Sequence, residues 1–172
     1  KLEEEAIRQF CEQGNVYRAL AKFFRACSAV WLSQRVGDIP FSEAGNPENL
    51  HPAFDSQEDV YRQVLELLED ANGIIGGLIA NNTAPANSLL DPSGDVYQLT
   101  NRQWQKVINA YRLRVLVSLS RLADDTPALE VASRVSEMLS QPDQFPLPTS
   151  NSDNLVYRYN AAFNPYIMYR SN

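Results

Sequence analysis

Between Asn15 and Ala44 the chain reads NVYRALAKFFRACSAVWLSQRVGDIPFSEA, a run of large side chains at helical spacing that ends in a Gly-Asp-Ile-Pro turn. Tyr17, Leu20, Phe24, Cys27 and Trp31 recur at steps of three or four, which predicts one apolar face on a helix of period 3.6. Gly37 can take the left-handed conformation of a helix C-cap, and Pro40 cannot continue a helix, so the element has to stop between them. A helix of this kind needs partners on its apolar face. The rest of the chain supplies them.

A first helix is predicted over Leu2–Gln13, with Leu2, Ile7 and Phe10 inward. After a polar loop over 42–55, Ser56-Gln57-Glu58-Asp59 is close to a capping box with an acidic first turn, which suits the helix dipole. The helix it opens has Val60, Val64, Leu67, Leu68, Ala71 and Ile75 on its inner face, and Gly76-Gly77 loosens its end. Residues 81–99 read as a linker rich in Asn, Pro and Ser. Thr100-Asn101-Arg102-Gln103 is a second capping box, opening a helix with Trp104, Val107, Ile108, Tyr111, Val115, Ser118 and Leu122 inside. Thr126-Pro127 starts a further helix with Pro at its first position, and Val131, Val135, Met138 and Leu139 face inward. Residues 154–160 alternate weakly, as one short strand would. The expected helices therefore lie near 15–35, 56–76, 101–123 and 127–140, with Trp31 and Trp104 buried between them. The helical pairs are unequal in length, and no clean 34-residue repeat is present.

Composition narrows the function classes. The chain has 172 residues and a formal net charge of −6, with its 15 Lys and Arg scattered singly. That argues against nucleic acid as a partner, since phosphate binding needs clustered positive charge. No apolar run approaches the roughly 20 residues of a membrane-spanning helix. Two cysteines, Cys11 and Cys27, make no disulfide framework. On one continuous helix they would stand roughly 24 Å apart, beyond bridging distance unless the chain breaks near Gly14. They read as free thiols in apolar surroundings. Lys1-Leu2-Glu3 begins without a cap residue and Tyr169-Arg170-Ser171-Asn172 ends in an aromatic loop, so the chain reads as a piece of a longer protein.

Catalytic or metal chemistry finds little footing. His51, the one histidine, lies in a Pro-flanked loop with no Cys nearby, which argues against a metal or a triad. Glu66, Glu69 and Asp70 fall on the outer face of their helix, as a solvated surface would. Gly73, Gly76 and Gly77 sit at a helix end rather than in a phosphate-cradling loop. Asp91 and Asp95 flank Gly94 but lack the further oxygens of a calcium loop, and read as a turn. No cofactor and no metal is expected.

The tail differs in kind. Tyr157, Tyr159, Phe163, Tyr166 and Tyr169 are interleaved with Asn160, Asn164 and Arg170, off any helical period. Flat rings beside amide and guanidinium groups are what a sugar-binding surface uses: rings stack on apolar sugar faces while the polar groups bond hydroxyls. Phe163, Asn164, Tyr166, Tyr169 and Arg170 are the candidate ligand-binding residues. The alternative is a tail that packs its rings on the scaffold.

Four segments in order carry a family resemblance. They are the Val36-Gly37-Asp38-Ile39-Pro40-Phe41 turn after its aromatic helix; Asp59-Val60-Tyr61-Arg62-Gln63-Val64 with Leu67-Leu68-Glu69-Asp70-Ala71; Asp95-Val96-Tyr97 followed by Trp104-Gln105-Lys106-Val107-Ile108-Asn109 and Leu113-Arg114; and Asn151-Ser152-Asp153-Asn154-Leu155-Val156-Tyr157. Together they resemble the SusD/RagB family of outer-membrane nutrient-binding lipoproteins from Bacteroidetes-type bacteria. Gln103 stands where that family usually has Lys before the Trp, and Ile108 where a small residue precedes Asn109.

The resemblance implies an all-α fold of antiparallel helical hairpins of tetratricopeptide-like type with an irregular aromatic tail. Residues 1–142 would form the scaffold, and 143–172 an irregular segment of the same domain. It also implies a non-enzymatic protein that binds an oligosaccharide or a peptide and delivers it to a TonB-dependent transporter. The location implied is the cell surface, with a lipid anchor in a segment upstream of Lys1. The rival reading from the residues is a helical-repeat scaffold for protein partners.

Overall fold

The computed structural model describes residues 4, 5, 8, 15–90, 95 and 97–157. Among them 61% are helical and none lies in a strand, so the all-α expectation holds. Glu4, Glu5 and Arg8 are helical; the rest of the helix expected over 2–13 falls outside the described residues, as does Cys11.

Helix α1 (Val16–Val36) begins where the Asn15 side chain accepts the Arg18 backbone N–H at 2.8 Å. It ends at Gly37, whose φ of +81° belongs to a region open to glycine and strained for other residues. Asp38, just beyond, accepts the Gln57 backbone N–H at 2.9 Å. Ser56 accepts the Asp59 backbone N–H at 3.2 Å. Together Asp38 and Ser56 cap helix α2 (Gln57–Ala80). The intervening loop is closed by paired backbone bonds between Ile39 and Asp55 and by the Asp55 carboxylate. That carboxylate accepts the Phe41 and Ser42 backbone N–H groups, both at 2.8 Å. The bonds from Ser42 and Phe41 hold it below the usual carboxylate range.

Helix α3 (Asn101–Leu119) opens on the Thr100/Gln103 capping box, with both reciprocal bonds present. The linker is tied to that end: Asn101 donates its side chain to the Pro85 carbonyl at 2.9 Å, and Leu89 bridges Thr100. Helix α4 (Val131–Ser140) follows a short 3-10 turn over Pro127–Leu129. Ion pairs and polar bonds fix the relative directions. Ser33 meets Gln57 and Lys22 meets Asp70, while Asn72 meets Gln105 and Glu69 meets Arg112. Each pair runs down one helix as it runs up the next, so α1, α2 and α3 are successively antiparallel.

Several expectations need correcting. The buried face of α1 is Val16, Ala19, Leu20, Phe23, Ala26, Ala29, Val30 and Ser33, not the ring-bearing stripe. Of that stripe only Leu20 is buried; Tyr17 and Cys27 are half-buried, Phe24 is exposed, and Trp31 is 58% exposed. The alanines explain the rotation: small residues let α1 approach α2 closely, and Phe23 is the buried ring of α1 that meets Trp104. Trp104 itself is buried, as expected. Helix α2 runs through Gly76-Gly77 to Ala80, because Ile75, Leu78 and Ile79 continue to pack on the core. Ser118 and Leu122 are exposed, as is Leu139. The helix expected over 127–140 is split by Glu130 at a left-handed φ of +52°, which lets Leu129 turn into the core. Residues 154–157 form no strand ladder.

Candidate functional site

Two features stand out at the level of side chains. The first is an aromatic tier at the α1–α3 face. Phe23 from α1 meets Trp104 and Tyr111 from α3 edge-on, with centroids 6.2 and 5.7 Å away. Phe24 lies nearly parallel to Tyr97 at 6.5 Å, and Tyr97 meets Tyr157 edge-on at 6.3 Å. The tier thus runs from a buried indole out to Tyr157, which is 41% exposed.

Its anchor is Asp95, buried at 3% exposure. The carboxylate accepts the Trp104 indole N–H at 2.9 Å, the Leu99 N–H at 3.0 Å and the Tyr97 N–H at 2.8 Å. A charged acceptor satisfied by three donors can stay buried. Asp95 is therefore the pin of a turn that carries the half-buried Tyr97 ring against Phe24 and Trp104. Asp91 and Gly94 fall outside the described residues.

The second feature is a polar seam between α2 and α3. Asn72 Oδ1 accepts Gln105 Nε2 at 3.0 Å and Asn109 Nδ2 at 2.9 Å. The same amides hold the following segment by its backbone: Asn72 donates to the Gln144 carbonyl at 3.3 Å and Asn109 to the Pro146 carbonyl at 3.2 Å. One step along, the fully buried Arg112 donates to Glu69 at 2.9 Å, and Arg134 of α4 donates to the same oxygen at 2.9 Å. Burial lowers the Arg112 pKa from its ordinary value, and the Glu69 charge opposes that shift. The seam clamps residues 144–146 onto the bundle, and a cleft opens on either side of Gln144. One, of about 550 Å³, is walled by Lys22, Glu69 and Asp70; the other, of about 380 Å³, by Arg102, Gln105 and Asp143.

The sequence reading missed Asn72, Gln105, Asn109 and Arg112. Their signal was positional. Asn72 continues the Leu68–Ile75 stripe, and Gln105 and Asn109 stand one turn apart beside Trp104 and Ile108. A polar residue on an apolar stripe is the mark of a buried network.

The five residues expected to bind ligand, Phe163, Asn164, Tyr166, Tyr169 and Arg170, lie outside the described residues, as does Tyr159. His51 is exposed, and its backbone N–H bonds Asn49. Among the described residues no group of three or more His, Cys, Asp or Glu side chains could hold a metal, and no helix is long and apolar enough to cross a membrane. Burial pushes the Cys27 thiol up to about 11, so it is poorly suited to act as a nucleophile.

Antiparallel helices, an aromatic tier and a clamped polar seam make up a helical scaffold, and the comparisons give it a family. Residues 1–171 match the model of the SusD-like family described as starch-binding and associating with the outer membrane, and the chain belongs to that family. An outer membrane protein from Bacteroides vulgatus, whose description names nutrient binding, shares 34% identity and superposes with a TM-score of 0.72 over 87% of this chain. A SusD homolog from Bacteroides fragilis shares 34% identity with a TM-score of 0.60 over 85% of the chain. Another from the same species shares 26% identity with a TM-score of 0.75 over 93%. This chain spans 31%, 29% and 32% of their respective lengths. No curated protein matches the sequence.

Proposed function

We propose that the protein is the non-catalytic, glycan-binding component of an outer-membrane nutrient-uptake system, handing its ligand to a TonB-dependent transporter. The observation that carries this reading is the family match across residues 1–171, in a family described as starch-binding and associated with the outer membrane. The names of the Bacteroides relatives, nutrient binding and SusD homology, support it. In this reading residues 1–142 are the scaffold, built as tetratricopeptide-like hairpins, and 143–172 complete the same domain. A lipid anchor in a segment upstream of Lys1 holds the protein at the cell surface.

Phe163, Tyr166 and Tyr169 stack on sugar faces, and Asn164 and Arg170 bond the hydroxyls. The aromatic tier supports this assignment: its outermost ring, Tyr157, is 41% exposed and immediately precedes in sequence the stretch that carries those residues. Loops carried by a rigid scaffold commonly hold binding residues. Ring stacking and neutral hydrogen bonds are screened little by salt, so affinity should change little with ionic strength.

Calorimetry of the full-length protein against a glycan panel is the test, with Tyr166→Ala measured beside wild type. Binding without turnover, weakened by Tyr166→Ala, is the expected result. Undiminished affinity in Tyr166→Ala, Phe163→Ala and Tyr169→Ala would remove the tail from the site. Turnover of any bound glycan would end the non-catalytic reading.

A further inference from the structure

Asn72, the centre of the polar seam, is followed by Gly73, and this is the one Asn-Gly pair in the sequence. Such a pair carries a reaction of its own. The Gly73 peptide nitrogen attacks the Asn72 side-chain carbonyl carbon, and the new bond closes a five-membered succinimide. The bond to the side-chain nitrogen breaks, and that nitrogen leaves as ammonia with the peptide proton. Water then opens the ring at one carbonyl or the other, leaving aspartate or isoaspartate. Glycine favours the step, because it has no side chain to crowd its nitrogen and its backbone turns freely.

The fold withholds what that reaction needs. Asn72 lies inside helix α2, where the helical ψ turns the following nitrogen away from its side-chain carbon. The side chain is buried, its Oδ1 held by Gln105 and Asn109 and its Nδ2 by the Gln144 carbonyl. Gly73 itself is exposed and borders both clefts beside Gln144, so water already reaches it. Packing does not require a glycine there, since an added Cβ would meet no atom within 4 Å. Gly73, Gly76 and Gly77 together weaken the last turns of α2, because glycine is a poor helix former. The bonds of Asn72 to α3 and to the backbone at Gln144 tie down the point where this weak stretch begins.

We propose that Asn72 and Gly73 form a self-modification site that the seam keeps silent. When residues 144–146 lift and the end of α2 unwinds, the pair converts, and the product stops the seam from reclosing. An aspartate there sets a carboxylate oxygen against the Gln144 carbonyl where an N–H stood, and buries a charge with no cation among its printed partners. An isoaspartate adds a carbon to the backbone and breaks the i to i−4 ladder of α2. A reversible opening thereby becomes permanent. The inference is independent of the ligand reading.

Peptide mass spectrometry of the full-length protein, aged in mildly alkaline buffer with and without urea, tests it. In the native protein Asn72 should convert about 100-fold more slowly than in the unfolded chain. Below the unfolding transition its rate should climb with urea on a slope shallower than that of global unfolding, as a local opening requires. Asn109→Ala, which removes the bonds to Asn72 and to the Pro146 carbonyl, should raise the native rate about 10-fold while the helical circular dichroism is kept. Gly73→Ala should keep the fold and convert more slowly than wild type even when unfolded. In Asn72→Asp the Gln144 and Phe145 amides should exchange about 10-fold faster than in wild type. Equal rates in native and unfolded protein, or an unchanged native rate in Asn109→Ala, would overturn the protection by the seam. A rise confined to the global transition would overturn the local opening, and wild-type conversion in unfolded Gly73→Ala would overturn the role of the pair. Wild-type exchange in Asn72→Asp would overturn the permanence.

Discussion

Trp104 and Asp95 offer the sharpest test of how this fold sets its aromatic face. The indole is 1% exposed, packs against Phe23, Phe24 and Tyr97, and donates to the Asp95 carboxylate at 2.9 Å. Trp104→Phe keeps a ring among its neighbours but removes the N–H donor. A hydrogen bond to a buried charge contributes about 1.5–3 kcal/mol, so Trp104→Phe should lose roughly 2–4 kcal/mol once the missing part of the ring is added. Trp104→Ala removes the ring contacts as well and should cost about 3–5 kcal/mol or more.

Urea unfolding followed by far-ultraviolet circular dichroism gives both values, and the cycle with Asp95→Asn isolates the bond. The coupling between Trp104→Phe and Asp95→Asn should be about 1.5–3 kcal/mol, because two buried partners of one hydrogen bond are not additive. A Trp104→Phe protein within about 0.5 kcal/mol of wild type, or zero coupling in the cycle, would refute the claim that the indole holds the carboxylate.

Gly73 and Gly77 stand in helix α2 with open space where a Cβ would go, so Gly73→Ala and Gly77→Ala should each raise stability by about 0.5–1 kcal/mol in the same assay. Gly76→Ala should gain less, since its Cβ would sit 3.0 Å from Gln105 Nε2 and displace an amide that bonds Asn72. Equal gains at all three positions would mean the seam tolerates that displacement. Burial pushes the Cys27 thiol from its ordinary 9.0 to about 11, with Tyr111 opposing. The folded protein therefore holds this proton more tightly, and the stability it contributes is full below about pH 9 and lost as pH rises through about 11. At pH 8 iodoacetamide should alkylate native Cys27 about 100-fold more slowly than the unfolded chain, and matching rates would contradict the burial.

What the sequence revealed depended on the range of the interaction involved. The caps at Ser56 and Thr100, and the stop at Gly37, are chemistry among residues three or four positions apart, and the structure keeps them. The buried face of α1 was misread because periodicity weights large side chains. Tyr17, Phe24 and Trp31 drew the stripe outward, while Ala19, Ala26 and Ala29 settle the orientation by letting α2 come close. Glu130 interrupts the last helix at a left-handed φ of +52° that no local rule predicts, next to a Leu129 that is buried in the core.

The polar seam was hidden for a related reason. Asn72, Gln105, Asn109 and Arg112 look like solvent-facing residues until α3 lies antiparallel on α2 and the backbone of 144–146 crosses both. The seam makes the bundle particular about what lies across it. An apolar seam at these positions would hold any apolar segment, whereas stacked amides reward a strand of chain whose carbonyls fall at Gln144 and Pro146, and leave buried donors unsatisfied by a slipped register. The chain from Gln144 onward is thus set in one register before it reaches Asp153. There the Lys106 ammonium at 2.9 Å holds the carboxylate below the usual range, with help from the Thr149 N–H. Tyr157 follows against Tyr97. That contact comes at the end of a segment held by side chains from helices far earlier in the sequence.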